Sequence, residues 1–434
     1  MTATFDRGYN ALKKVLDAPI ASFFSSCVHC GLCAEACMFF TENGDPKYTP
    51  IHKLEPLRRV WEQETTLVGK LAKATGLAKK VDDQMLEEWS PLVYDSCSLC
   101  GRCSLVCPVG NDITYMVRKL REGMSASGNA PEGLIGASKR TITLGSPMGV
   151  QWKAVAAQIK HVQADTGLTV PVDQENVDYL VLMSSMEIIN YPEYLAALAR
   201  IFHQAKVSWT LSTEAYEATN SGIQIGSSDI AKQIVERIVN AAEKLKARTA
   251  ISPECGHAFT ALRWEGPNLI GRPYKFKVQH ILEVLDDLRA QGRLKTKGQK
   301  KIPVTFHDPC QIARRGGVIE QPRRLLGMVA PDLHEMADHG QWNWCCSGGG
   351  GVSANDRAEE IKLKAFKLKK AQIEETGVKT VVTACANCRI TLEEGIEHYE
   401  MPVTVLGLTE LLAEYLVEDA PAGDAAAPTQ SAGA

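Results

Sequence analysis

The spacing of apolar positions changes character along the chain. Over residues 1–125 they recur every three or four residues among Lys, Glu and Ala, as in LEPLRRVWEQETTLVGKLAKATGLAKK within 51–92, and residues 1–17 show the same pattern. That interval lines one face of a helix, so the first region is expected to be mostly helical. From residue 178 short apolar runs alternate with helical stretches: DYLVLMSS, PEYLAALARIFHQA, VSWTLST, DIAKQIVERIVNAAEKLKA, TAISPECG. The order returns as KIPVTFHDPC, PRRLLGMV, RAEEIKLKAFKLKKAQIEE and VKTVVTACANC. Such alternation predicts parallel α/β units. Residues 171–417 are therefore expected to form an α/β domain of two similar halves, 171–300 and 301–417, related by a repeat of roughly 120 residues. Residues 126–170 carry the turn signals GNAPEG, GSPMG and TGLTVP around one helix, QWKAVAAQIKHV, and read as a connector. The segment 418–434 is low in complexity and is expected to be disordered.

Composition narrows the function classes. The chain has 434 residues, 45% of them hydrophobic, and a formal net charge of -3 with acids and bases intermixed. That balance gives no argument for a nucleic-acid partner. The N-terminal stretch lacks the apolar core of a signal peptide, and no run approaches the roughly 20 apolar residues of a membrane helix. The expected location is cytoplasmic, either free or docked at the inner face of the cell membrane. There are 14 cysteines. A cytosolic chain does not use them for disulfides, so their spacing decides their meaning.

Two groups fall in the helical region, 27-CVHCGLCAEAC-37 and 97-CSLCGRCSLVCP-108. Each has the spacing C-x-x-C-x-x-C-x-x-x-C of a bacterial ferredoxin, in which three thiolates on a tight loop hold one [4Fe–4S] cube and the fourth serves the other cube. The expected sets are Cys27, Cys30, Cys33 and Cys107 for one cubane cluster, and Cys97, Cys100, Cys103 and Cys37 for the second. Gly31 and Gly101 would let each loop turn tightly and present N–H groups to sulfur. Zinc also accepts C-x-x-C pairs, but two complete four-cysteine runs exceed what it needs. His29, inside the first loop, either tunes a potential or is a partly exposed loop residue.

Five further cysteines occur in order in the second α/β half: Cys310, Cys345, Cys346, Cys385 and Cys388. Each stands at a strand end or a helix start, and in parallel units those points converge at one sheet edge. Five thiolates in one place are too many for one zinc or a simple cube. The run 345-CCSGGGG-351 adds four glycines, expected to let backbone N–H groups close on sulfide, with the N-terminus of a long helix beginning near Asn355 facing the same anionic group.

The pattern C…CCSGGG…C-x-x-C resembles the cysteine-rich CCG domain of the heterodisulfide reductase superfamily. The order of ferredoxin domain then CCG domain resembles its HdrD-like and DsrK-like catalytic subunits, with local matches at 27-CVHCGLCAEACMFFTENGDPKYTP-50 and 254-ECGHA-258. This resemblance implies that Cys310, Cys345, Cys346, Cys385 and Cys388 hold a noncubane [4Fe–4S] cluster that cleaves a disulfide one electron at a time. The first half departs from the two-site version of the family: LMSSME, TEAYEATNSG and SPECGHAF stand where cluster ligands would be, and only Cys255 remains. One catalytic cluster is therefore expected, not two. Cys255 is either an inert relic or a catalytic residue facing the cluster as ligand, redox thiol or substrate contact. His257 beside it is a candidate proton donor to a leaving thiolate. His307, in FHDPC, is expected to hydrogen-bond its loop. Arg314 and Arg315 are either solvated or placed to attract an anionic group.

The chain has no Rossmann fingerprint, phosphate loop or flavin motif, so it needs an external redox partner. The resemblance implies a thiol/disulfide oxidoreductase exchanging electrons with a membrane cytochrome b, a quinone pool or another redox subunit. Its substrate would be a small heterodisulfide, or the di- or trisulfide of a DsrC-like sulfur-carrier protein. The alternative is an electron-relay iron–sulfur subunit of a glycolate- or lactate-type 2-hydroxy-acid oxidase. Met38-Phe39-Phe40 after the fourth cysteine, where that family carries proline, favours the first.

Overall fold

The structure, a computed structural model, describes residues 3–417. Its first region is a bundle of short helices, among them Ala3–Lys14, Ala18–Ser26, Glu55–Thr65, Asp83–Tyr94 and Ile113–Ala126. Side-chain caps set several of their starts: Asp17, Asp82 and Asp112 accept from the backbone N–H groups of Ile20, Met85 and Tyr115. Their apolar faces meet in one core that includes Leu12, Leu57, Val60, Leu86, Val93, Met116 and Leu120. Among the described residues, no helix is long and apolar enough to cross a membrane.

Two parallel sheets follow. The first comprises β1 (Tyr179–Val181), β2 (Trp209–Thr210), β3 (Thr249–Ser252) and β4 (Lys277–His280), in the order β2-β1-β3-β4. The second comprises β5 (Thr305–His307), β6 (Thr380–Thr383) and β7 (Thr404–Gly407), in the order β5-β6-β7. A parallel bridge from Val304 to Leu333 extends the second sheet beyond β5, on the side that β2 takes in the first. β3, β5 and β6 are buried throughout, as sheets covered on both faces require. β4 and β7, whose sequences KVQH and TVLG mix polar and apolar residues, were not expected from the pattern.

Residues 126–170 differ from the connector expectation. They contain two helices, Glu132–Leu144 and Trp152–Thr166. Leu134, Ala137 and Thr141 of the first and Val155, Ile159 and Val162 of the second are buried. Ser221 donates a hydrogen bond to Thr141, so this segment packs as part of the α/β body. The long helix of the second half runs from Glu359 to Thr376, not from Asn355, because two 3-10 turns, Val352–Ala354 and Asp356–Ala358, intervene. The tail at 418–434 lies outside the described residues.

Candidate iron–sulfur and disulfide site

The two ferredoxin-like loops have matching backbones. Gly31 and Gly101 take φ of 85° and 78° and each opens a one-turn helix, Leu32–Glu35 or Arg102–Leu105, that carries Cys33 or Cys103. His29 and Leu99 both sit at φ 54°, so His29 occupies the same left-handed loop position as a leucine, exposed to solvent. Cys27, Cys30, Cys33 and Cys107 line one cavity of about 30 Å³ with Phe23, Ile51 and Ile113. Cys37, Cys97, Cys100 and Cys103 line another of about 30 Å³ with Phe39, Lys53 and Leu99. Each cavity thus takes three thiols from one run and the last from the other. Burial pushes the Cys33 thiol up to about 11, and Cys27, Cys30 and Cys107 add to the shift. The Cys103 thiol is raised well above its ordinary value by burial, then by Cys100, Cys37 and Cys97.

The third group gathers where strands of the two sheets end. β5 leads through Asp308 and Pro309 to Cys310. β6 leads to Cys385, which stands at the N-cap of the helix Ala386–His398 and so puts Cys388 on its first turn. Cys310 Sγ and Cys345 Sγ are 3.8 Å apart. Cys346 contacts Cys345 and Cys388, and Cys388 contacts Cys385, so all five thiols form one chain of contacts. Shared protons divide their acidities. Cys345 is lowered by the side chains of Cys310 and Cys346, while Cys310 and Cys346 are raised. Cys385 falls to about 7, chiefly through Cys388, with help from the backbone N–H groups of Cys388, Gly256 and Asn387. The helix start that serves this site is therefore the one at Cys385, not the one expected near Asn355.

The glycines of 345-CCSGGGG-351 have a different use from the one expected. A side chain on Gly349 would meet the Ser98 carbonyl oxygen at 2.8 Å, and one on Gly350, at φ +63°, would meet the Ser98 carbonyl carbon at 2.7 Å. The glycine loop is thus seated directly on the second ferredoxin-like loop. Polar ties lock this joint. Arg121, fully buried, donates to Val93 O, Cys97 O, Gln224 O and Gly350 O. Gln311 donates to Leu99 O at 2.6 Å, and Arg314 donates to Cys100 O at 2.8 Å. Arg314 also donates to the carbonyls of Gln341 and Asn343, so it is a strut and not a free anion contact. Arg315 pairs with Asp112. The joint brings the second ferredoxin-like group beside the third: burial raises Cys100 to about 11, with Cys345 next among the causes.

The five-thiol group opens on a cavity of about 270 Å³. Cys310, Cys346, Cys385 and Cys388 line it from the second half, with Gly348 to Gly351. Cys255, Gly256, His257, Ser184 and Ser185 line it from the first half, and Met148 and Pro147 add apolar wall. Cys255 is an N-cap residue at the end of β3, with φ -138° and ψ 103°, close to the -148° and 113° of Cys385. Burial, then Cys385, raises the Cys255 thiol far above its ordinary value, so it is protonated at neutral pH. Burial pushes His257 down to about 4, and its buried Nε2 has no hydrogen-bond partner. At neutral pH the ring is uncharged, so it offers the cavity a hydrogen bond and not the imidazolium expected of a proton donor. His307 also departs from expectation. Neither ring nitrogen has a hydrogen-bond partner, and the ring shares one small space with Cys346 and Cys388, the ligand atoms lying within 4.8 Å of one another.

The donor chemistry fits iron–sulfur clusters at all three places: every group is made of free thiols, and soft thiolates select such clusters or zinc. Two family models match the chain. A 4Fe–4S dicluster domain matches residues 24–111, and a cysteine-rich (CCG) domain matches residues 304–393. Over most of its length the chain is similar to the Hdr-like menaquinol oxidoreductase iron–sulfur subunit 2 of Archaeoglobus fulgidus, 28% identical over 447 residues, covering 91% of this chain and 80% of that protein. It is 26% identical over 406 residues to a dihydromethanophenazine:CoB–CoM heterodisulfide reductase subunit of Methanosarcina acetivorans, covering 90% of this chain and 93% of that one. It is also similar to the EtfAB:quinone oxidoreductase of Syntrophomonas wolfei, 25% identical over 404 residues, covering 86% of this chain and 55% of that protein.

Proposed function

We propose that this chain, a heterodisulfide-reductase-like iron–sulfur subunit, is the thiol/disulfide oxidoreductase subunit of a larger redox complex. The observation that carries the reading is the cavity of about 270 Å³ walled by four of the five clustered thiols, with Cys255 and His257 on its other side. In the net reaction a disulfide takes up two electrons and two protons and leaves as two thiols, or the reverse.

Cys27, Cys30, Cys33 and Cys107 would hold one cubane [4Fe–4S] cluster, Cys37, Cys97, Cys100 and Cys103 a second, and Cys310, Cys345, Cys346, Cys385 and Cys388 a noncubane one. When bound, the third cluster supplies single-electron chemistry at sulfur. The residues of the chain supply the rest. Cys30 is exposed, so the first group opens to a redox partner. The Arg121, Gln311 and Arg314 ties hold the second group against the third. The cavity volume suits a small organic disulfide or the tip of a carrier-protein chain, near the lower limit of ligand sites. Met148 and Pro147 add apolar surface for the carbon atoms flanking the sulfurs. Cys255 stays protonated, which makes it a hydrogen-bond donor to a sulfur anion and a poor nucleophile, since attack needs the thiolate. His257, neutral, orients a second hydrogen bond into the same space. The two-halves reading is supported by the shared strand order and by Cys255 and Cys385 taking the same N-cap position.

Electron paramagnetic resonance of the anaerobically oxidised protein tests this. A thiol-dependent signal that disappears in Cys345→Ser and Cys346→Ser, with about 12 iron atoms per chain, is the expected result. About 8 iron atoms and no thiol-dependent signal would leave only an electron relay, and the proposal would fail.

A further inference from the structure

Far from the cavity, the segment TLVGKLAKATGLAKK at residues 66–80 breaks the usual rule for a surface helix. Its helix, Leu67–Ala74, buries no residue of its own. Leu67, Val68, Leu71 and Leu77 are 86%, 80%, 67% and 83% exposed, although an amphipathic helix normally turns such residues into the core. On the helix, Leu67, Val68 and Leu71 share one face within about 100°.

The segment is nevertheless held in place, by polar ties at both ends. Thr66 caps the helix by accepting from Gly69 N–H, and Lys73 reaches back to Glu64 and to the Tyr9 hydroxyl. At the far end Gln63 donates to Lys79 O at 2.7 Å and Arg59 to Lys80 O at 2.8 Å. The apolar face is thus presented outward by the fold.

Charge points to what covers it. Residues 66–80 contain four lysines and no Asp or Glu, in a chain whose net charge is -3. Lys70, Lys79 and Lys80 are exposed and form no ion pair among the described residues, while Lys13 and Lys14 are exposed on the neighbouring first helix. The segment has no aromatic residue, Met or Arg, the types that enrich the centre of a protein–protein interface, where Lys is depleted. Leucines rimmed by unpaired lysines instead match an interfacial helix on an anionic bilayer.

We propose that residues 66–80 dock this chain on the surface of an anionic phospholipid membrane, Leu67, Val68, Leu71 and Leu77 entering the headgroup–acyl boundary and Lys70, Lys79 and Lys80 contacting lipid phosphates. The face belongs to the ferredoxin-like region: its anchoring helix Glu55–Thr65 carries Trp61, which packs on Phe24, three residues before Cys27. Docking there would bring the first thiol group toward the membrane. This rests on the electron-exchange reading above, but its readout is separate from that reading.

The test is co-sedimentation of the anaerobic, iron-loaded full chain with phosphatidylcholine vesicles containing 30% phosphatidylglycerol, and with pure phosphatidylcholine. The expected result is binding to the anionic vesicles that falls about a hundredfold in Lys70→Glu/Lys79→Glu/Lys80→Glu, and at least tenfold in Leu67→Ser/Val68→Ser/Leu71→Ser. Disulfide reduction driven by a soluble dye should be unchanged in both variants; its absence in the parent chain would sink the proposed function without touching this one. Three outcomes overturn the docking proposal: no binding of the parent chain to anionic vesicles; equal binding by the apolar variant; or binding to native membranes only, removed by protease treatment of those membranes, which would make the partner a protein. A concentration-dependent dimer abolished by the apolar variant, without vesicle binding, would assign the face to a second copy of the chain.

Discussion

Replacing Arg121 by leucine should loosen the joint between the ferredoxin-like region and the third thiol group. The guanidinium makes five hydrogen bonds to four carbonyls, at 3.3 and 2.9 Å to Val93 O, 2.8 Å to Cys97 O, and 2.6 Å each to Gln224 O and Gly350 O. Among the described residues no carboxylate accepts from it; the Tyr94 ring lies 4.7 Å from it. Its pKa is lowered by burial, so the charge is held at a desolvation cost that the carbonyls offset. Losing the side chain strands those carbonyls in the interior at about 1 kcal/mol per bond, and relief of the buried charge returns part of it. The net loss is about 3–5 kcal/mol. Lysine keeps the charge but not the planar fork, so Arg121→Lys should recover less than half. The assay is urea unfolding of the anaerobic iron-loaded protein, combined with amide hydrogen exchange at residues 97–100 and 348–351. Both peptides should lose protection together, and, under the proposed function, in which the second thiol group passes electrons to the third across this joint, dye-driven disulfide reduction should slow. An unchanged urea midpoint with full protection at both peptides would refute the assignment of Arg121 as the strut.

Four further outcomes follow from other contacts. Gly350→Ala places a methyl 2.7 Å from the Ser98 carbonyl carbon at a positive φ, and should slow electron delivery to substrate while leaving the iron content near that of the parent. Cys37→Ser should alter the same cluster signal as Cys97→Ser and spare the one altered by Cys27→Ser, which spectra of the three variants will decide. Glu187, fully buried, is pushed by burial up to about 8 from an ordinary value of 4.5, so the folded chain keeps a proton that the unfolded chain releases. The contribution of Glu187 to stability is then fully present below about pH 4.5 and is lost as pH rises through about 8, and Glu187→Gln should flatten that part of the slope in thermal melts. Cys255→Ala should lower disulfide turnover while leaving all iron in place; unchanged turnover and spectra would return Cys255 to the status of a relic.

The thiol groups were legible because their grouping is encoded in spacing, and spacing survives without any knowledge of the fold. The alternation of apolar runs with helices was legible for β1, β2, β3, β5 and β6, which are buried throughout except at Tyr179. It failed for β4 and β7, where KVQH and TVLG carry too little apolar signal to stand out. It failed also for the helix Glu132–Leu144, whose Gly133 falls in the turn-like GNAPEG; a side chain at 133 would stand 2.0 Å from Ala354 O, so that glycine serves close packing. The strut role of Arg121, Gln311 and Arg314 carried no local signal, because each acts on backbone more than 200 residues away in sequence. The glycine run stands out in the sequence, but its seating on Ser98 depends on residues about 250 positions away that nothing in the run itself reveals.

The two sides of the cavity solve one local problem with different chemistry. After β5 and β6 the chain supplies Cys310 and Cys385, and a loop from between them supplies Cys345 and Cys346. After β1 it supplies Ser184 and Ser185, and the loop following β2 supplies Glu217. The Ser185 N–H and hydroxyl both donate to Glu217, at 3.1 and 3.2 Å, and Thr219 N–H donates at 3.1 Å. Ser146 closes the set at 2.8 Å from Ser185. Burial raises Glu217 to about 7, so this carboxyl is at least partly neutral at physiological pH and can sit where thiolates sit opposite. Glu217 Oε2 is buried without a hydrogen-bond partner among the described residues, and the network contains no thiol, so it offers no soft ligand set like the one opposite. Cys255 is outside that network and lines the shared cavity from the N-cap position that Cys385 holds opposite, so both halves wall the cavity, the first with Ser184, Ser185 and Cys255 and the second with the clustered thiols.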